Sequence, residues 1–144
     1  MNVLQNIKIN ASEKIIFDYL NDISNRKEYI PALDKIILLD PLPLKIGSRY
    51  IEVSRIAGQK METTYQITDF IPDKQISAKT IKSFFPINVD LTIREQGLAC
   101  ILTINLNFQL SGIYKLASVI IKEIVKQQAK QILEKLKFNI EENY

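Results

Sequence analysis

The sequence predicts an α+β fold in which a curved antiparallel sheet of seven strands wraps one long C-terminal helix, with two short helices after the first strand. Three observations carry this. Apolar and polar residues alternate over 87–95 and again over 99–110, the period of a half-buried strand. Gly, Pro and Asp residues cut the middle of the chain into short segments, as turns do. From 113 to 139 neither Gly nor Pro intervenes, which at about 1.5 Å per residue allows a helix of roughly 40 Å.

Residues 3–9 read as the first strand. Ser12 then caps an amphipathic helix over 13–20, with Ile15, Ile16, Tyr19 and Leu20 as its apolar side. Residues 21–25 break that helix. A second one over 26–30 stops before Pro31, because proline disfavours helical geometry in the residue preceding it. Six strands follow at 34–40, 48–57, 60–71, 75–82, 87–95 and 99–110, joined by the short connections of consecutive hairpins. In the last strand Leu102, Ile104, Leu106, Phe108 and Leu110 share one face, opposite Thr103, Asn105, Asn107 and Gln109. Val89, Leu91 and Ile93 likewise oppose Asn88, Asp90, Thr92 and Arg94. One sheet face is dry and one wet, and only the final helix is long enough to cover the dry one.

On a helical wheel the final helix carries more apolar surface than one contact uses. Ile121, Val125, Ala129, Ile132 and Leu136 form a stripe along its length, expected to pack on the sheet. Ile113, Ala117, Ile120 and Ile124, flanked by Leu116, form a second group in the first half only. Three destinations are open for it: the roof of an internal cavity, the two short helices, or a subunit contact, so a homodimer is among the arrangements allowed.

Composition excludes several function classes. A chain of 144 residues, 47% hydrophobic and 24% charged, has the size and balance of one globular domain, expected to span 1–144. Nineteen basic against sixteen acidic residues leave too small an excess for a nucleic-acid partner. The N-terminus lacks a basic segment followed by an apolar run, so no secretion signal is expected, and the single Cys100 excludes an intrachain disulfide. Both suit the cytoplasm. The longest uncharged stretch, 97–114, has the polar alternation of a strand and predicts no integral membrane segment. The absence of histidine removes Ser-His-Asp and Cys-His catalysis and ordinary zinc sites, and four scattered glycines make no phosphate loop. No metal and no cofactor is expected.

Candidate polar residues lie on the third and fourth strands. Tyr50, Glu52, Ser54 and Ile56 share one face of the third, and Met61, Thr63, Tyr65 and Ile67 one face of the fourth. If these faces look inward, Glu52 sits with Tyr50, Thr63 and Tyr65 in a largely apolar space. It would there orient the polar end of a guest or, with a raised pKa, transfer protons. The opposite assignment turns Ile51 and Val53 inward and leaves Glu52 in water beside Arg55 or Lys60. The pattern leaves both open, and 75–82 shows no clean alternation either. Arg49 and Arg55 are candidates for a ligand carboxylate or phosphate, although arginines on a strand rim are more often solvated.

Three stretches resemble the START-like (SRPBCC, helix-grip) superfamily, in its polyketide cyclase/dehydrase and lipid-transport branch. IKINASEKIIFDYLND at 7–22 is similar to the family's opening strand and capped helix. IGSRY at 46–50 resembles its entry to the third strand, and YQITDFIPDKQI at 65–76 its fourth strand, proline turn and fifth strand. The resemblance implies a hydrophobic cavity between sheet and helix, with members that bind lipids, sterols, quinones, plant hormones or polyketides and a minority that catalyse cyclisation or dehydration.

The leading expectation is non-enzymatic binding of a small hydrophobic or amphipathic molecule. Ile104, Leu106 and Phe108 would contact it from the sheet, Ile113, Ala117, Ile120 and Ile124 from the helix, and Tyr50, Glu52, Thr63 and Tyr65 at its polar end. One alternative is a cofactor-independent cyclase or dehydrase in which Glu52 and a tyrosine act as base and acid. Another is an interaction protein with a filled core.

Overall fold

A computed structural model describes residues 1–56 and 58–143. Ala57, where the sequence ends the third strand, lies outside the described residues. The chain runs β1 (Asn2–Ile9), α1 (Glu13–Asn21), a 3-10 turn (Ile23–Asn25), α2 (Arg26–Tyr29), β2 (Leu33–Leu38), β3 (Arg49–Ile56), β4 (Gln59–Ile71), β5 (Gln75–Lys82), β6 (Ile87–Gln96), β7 (Ala99–Phe108), a second 3-10 segment (Gly112–Ala117) and α3 (Ser118–Asn143). The seven strands form one sheet in the order β1-β7-β6-β5-β4-β3-β2, antiparallel throughout. Register shifts at Leu33/Lys35, Thr64/Tyr65 and Ile67/Asp69 add local twist, bending the β2–β5 half of the sheet.

Each element follows from local chemistry. The Ser12 side chain accepts a hydrogen bond from the Ile15 N–H at 3.2 Å and so fixes the start of α1. Ile16, Phe17, Tyr19 and Leu20 bury the opposite side. Directly opposed residues in an antiparallel ladder share a face, so the pairs Ile93↔Leu102, Leu91↔Ile104 and Val89↔Leu106 continue one apolar surface from β6 to β7. Against the β1 and β7 side of the sheet α3 presses Ala129, Leu133, Leu136 and Ile140, none more than 2% exposed. Burying a Leu or Ile side chain contributes about 1.5–3 kcal/mol, so this half of the helix is firmly held.

The structure departs from the expected elements at both ends of the last helix. The first five residues of the run, with Gly112 before them, are 3-10 rather than α-helical, and they bury no side chain. At the other end the helix passes Asn139 and runs through Asn143, the last described residue, because Ile140 is fully buried and Lys137 bridges Glu141 (2.7 Å) and the Lys8 carbonyl (2.6 Å). The second strand ends at Leu38 rather than residue 40, since Asp40 is taken up by Arg49. Asp40 Oδ2 accepts from the Arg49 backbone N–H (2.9 Å) and Nε (3.0 Å), and Oδ1 from Nη2 (3.1 Å). The fifth strand lacks alternation for a structural reason: Ile76, Ser77 and Ala78 are all buried, next to the Ile67/Asp69 bulge of β4.

Candidate ligand-binding cavity

A cavity of about 180 Å³ lies between the sheet and α3. Ile76, Ala78, Val89, Leu91, Ile104 and Leu106 form its sheet wall, and Ile132 and Leu136 its helical wall. At one end the lining becomes polar, with Arg26, Tyr29, Tyr50, Glu52 and Tyr65. Hairpin register assembles this wall: Tyr50 opposes Tyr65 across β3 and β4, and their rings stack with centroids 5.6 Å apart. With Tyr50 inward, Glu52 is inward as well, being two residues further along the strand. Val53 is also buried, on the other side of β3, which is why alternation alone could not orient this strand.

Arg26 organises the polar end. From the first position of α2 its Nη1 donates to the Tyr50 hydroxyl (2.8 Å) and to Glu52 Oε1 (3.0 Å). Its guanidinium carbon lies 4.7 Å from the Tyr50 ring centroid, within cation–π range. The Arg26 and Glu52 side chains are 10% and 13% exposed, so this is a buried, charge-compensated pair. Among the described residues the Arg26 Nε–H has no hydrogen-bond partner.

The short α2 is held by a clamp between helices. Tyr19 of α1 donates from its hydroxyl to Glu28 Oε2 (3.0 Å), and Asn139 Nδ2 of α3 donates to the Tyr19 hydroxyl (3.1 Å) and the Glu28 carbonyl (3.4 Å). A helix of four residues has little intrinsic stability, so these tertiary bonds set the position of Arg26.

Burial governs the acid–base character of the cluster. It pushes the Tyr29 phenol up to about 12 and raises Tyr50 and Tyr65 as well, with the Arg26 charge only partly opposing this. For Arg26, burial works against the charge, but Tyr50, Tyr29 and Glu52 outweigh it and hold the guanidinium protonated. At neutral pH the three phenols are therefore hydrogen-bonding groups rather than titrating ones.

The structure brings Tyr50, Glu52, Tyr65, Ile104 and Leu106 into the wall and leaves the other expected contacts outside it. Thr63 opposes Glu52 in the ladder but is not part of the lining. Phe108 is buried against Phe85, with ring centroids 6.2 Å apart. Ile113, Ile120 and Ile124 are 75%, 66% and 53% exposed, and Ala117 is half-buried. The expected cavity roof is thus corrected: the helix meets the cavity through Ile132 and Leu136, members of the continuous stripe. The extra group does not pack on the short helices either, because α2 meets α3 near Asn139, at the far end. The interaction-protein alternative supposes a filled core, whereas a space of about 180 Å³ lies between sheet and helix.

Glu52 is not the isolated carboxylate that the sequence suggested, since Arg26 pairs with it. Of the lining residues that sequence reasoning did not name as contacts, Arg26, Tyr29 and Ile30 come from α2 and the residue after it, and the others from the apolar walls. The i,i+3 spacing of Arg26 and Tyr29 puts them on one side of α2, but a basic residue at the start of a short helix ordinarily reads as solvated. Arg49 is engaged by Asp40, whose carboxyl it holds below the usual carboxylate range, and exposed Arg55 lies 3.9 Å from Asp34. Neither lines the cavity. Among the described residues no cluster of metal-ligating side chains occurs and no helix is long and apolar enough to cross a membrane.

No family model and no curated protein matches the chain in sequence. Solved structures do match it in shape. A START superfamily protein from Mycobacterium smegmatis is similar over 99% of both chains, with a TM-score of 0.81 and 15% identity. The Zhui aromatase/cyclase from Streptomyces sp. R1128 is similar over 98% of this chain and 93% of its own, with a TM-score of 0.77 and 13% identity. The di-domain aromatase/cyclase StfQ of the steffimycin biosynthetic pathway is similar over 98% of this chain and 51% of its own, with a TM-score of 0.81 and 12% identity. At such identities the likeness establishes architecture alone, and that architecture is the START-like helix-grip fold: a seven-stranded antiparallel sheet wrapped on a long C-terminal helix.

Proposed function

We propose that the protein, acting as one domain, binds a small hydrophobic or amphipathic molecule in the cavity between sheet and α3 and shields it from water. The observation that carries this is the segregated lining, apolar along sheet and helix with a single polar cluster at one end, the arrangement that orients a ligand. Binding is favoured over cyclase or dehydrase chemistry because Glu52 is tied to Arg26 and burial moves the tyrosines away from neutral pKa values, where a general acid or base works best. A lone buried cysteine fits a reducing compartment such as the cytoplasm.

Toluene is a suitable first probe, since a dry engineered cavity of about 150 Å³ accepts benzene. Titration followed by methyl NMR is expected to shift Ala78, Val89, Leu91 and Ile104 while leaving exposed Ile113 and Ile120 in place. Unmoved cavity methyls at saturating toluene would sink the reading. Native mass spectrometry of the protein as purified is the complementary measurement, in which a defined mass released on denaturation identifies the cellular guest.

A second reading concerns the first half of the helix. Ile113, Leu116, Val119, Ile120 and Ile124 are all more than half exposed, and a face this apolar is characteristically covered by a partner. We infer pairing of two copies through it. Sedimentation velocity at micromolar concentration is expected to give the dimer mass and, for the Ile120→Glu variant, the monomer mass; a monomeric parent protein refutes it.

A further inference from the structure

We infer that the preferred guest is a neutral, single-ring compound bearing one hydroxyl, an alcohol or a phenol, whose O–H donates to the Glu52 carboxylate while its oxygen accepts from the Tyr65 hydroxyl. This rests on the cavity being the binding site.

Two polar groups of the cavity wall are unused and reachable. Arg26 engages only Oε1 of Glu52, at 3.0 Å, while Oε2 and the Tyr65 hydroxyl make no hydrogen bond among the described residues. Arg26 Nε also lacks a partner, but the atoms around it close it off; Glu52 Oε2 and the Tyr65 hydroxyl keep accessible surface. Both side chains are held in place, Glu52 by Arg26 and Tyr65 by stacking on Tyr50. They are also neighbours. Tyr50 opposes Tyr65 and Glu52 opposes Thr63, so Glu52 and Tyr65 are diagonal partners across β3 and β4. Such partners lie about 7–8 Å apart at the backbone, within reach of aromatic and long side chains.

Their chemistry selects the guest. A carboxylate only accepts, whereas a tyrosine hydroxyl can donate, so a guest hydroxyl meets both with one oxygen. A carbonyl or ether offers Glu52 nothing. An ammonium or a carboxylate would bring an uncompensated charge to a buried pair that is already neutral. Size sets the remaining limit: a dry cavity of about 150 Å³ takes one benzene ring, so about 180 Å³ admits a ring with one small substituent.

The test compares p-cresol, anisole and toluene by the same methyl NMR titration. The first two are isomers, of which only p-cresol donates. A hydrogen bond to a charged group is worth about a tenfold gain or more in affinity, so p-cresol is expected to bind at least about tenfold more tightly than anisole. Equal affinity of the two isomers, with toluene still bound, overturns the inference and leaves the binding reading intact. Failure of all three removes the reading on which the inference rests.

Two variants assign the two roles. Tyr65→Phe removes a hydroxyl with no partner in the fold, and is expected to lower the ratio of p-cresol to toluene affinity by about two- to tenfold, the worth of one neutral hydrogen bond. An unchanged ratio overturns the role of Tyr65. The Arg26→Met/Glu52→Leu double variant removes both charges together, a change that buried pairs commonly tolerate. It is expected to lose the preference for p-cresol over anisole, and a preference retained there overturns the role of Glu52.

Discussion

Replacing Arg26 alone by Met is expected to lower folding stability by about 3–5 kcal/mol, because it strands Glu52 where its side chain is only 13% exposed. It also removes the donor that satisfies the Tyr50 hydroxyl at 2.8 Å. Against a total of about 5–15 kcal/mol for an ordinary domain, this is a large fraction. Urea denaturation should show a sharply lower midpoint at unchanged slope. The double variant Arg26→Met/Glu52→Leu should recover most of the loss. A single variant within about 1 kcal/mol of the parent would mean that the pair is hydrated in solution and that the polar end of the cavity is not dry.

The two halves of α3 should respond oppositely to mutation. Leu133→Ala is expected to cost about 2–5 kcal/mol, since Leu133 is 2% exposed and packed within the main core. Ile120→Ser, at a position 66% exposed, should stay within about 0.5 kcal/mol of the parent when measured on the monomer. Thermal or urea unfolding of the two variants side by side checks this. Comparable losses would show that the first half of the helix packs on the sheet after all.

Much of the architecture was legible because it is local. The alternation in 99–110 reports directly which side of β7 is buried, and Ser12 announces the start of α1 by a bond spanning three residues. The continuous stripe through Ala129, Ile132 and Leu136 identified the contact face of the long helix for the same reason. The inward orientation of Glu52 was not legible. Val53, its neighbour on the opposite face, is buried too, so period-two reasoning has no contrast to use. Nor was the failure of Ile113, Ile120 and Ile124 to reach the cavity, because a helical wheel says which residues share a face but not how far along the helix the sheet extends.

The sequence by itself determined the order of the elements, the dry face of β6 and β7 and the presence of one long covering helix, all of which follow from periodicity and turn chemistry within a few residues. Only the tertiary structure decided which half of that helix roofs the cavity and which charge meets Glu52. The bonds of Arg26 to Tyr50 and Glu52 join residues 24 and 26 positions apart in the chain. They exist because the clamp from Tyr19 and Asn139 holds α2 against the sheet, and no local pattern encodes a contact made by three elements at once.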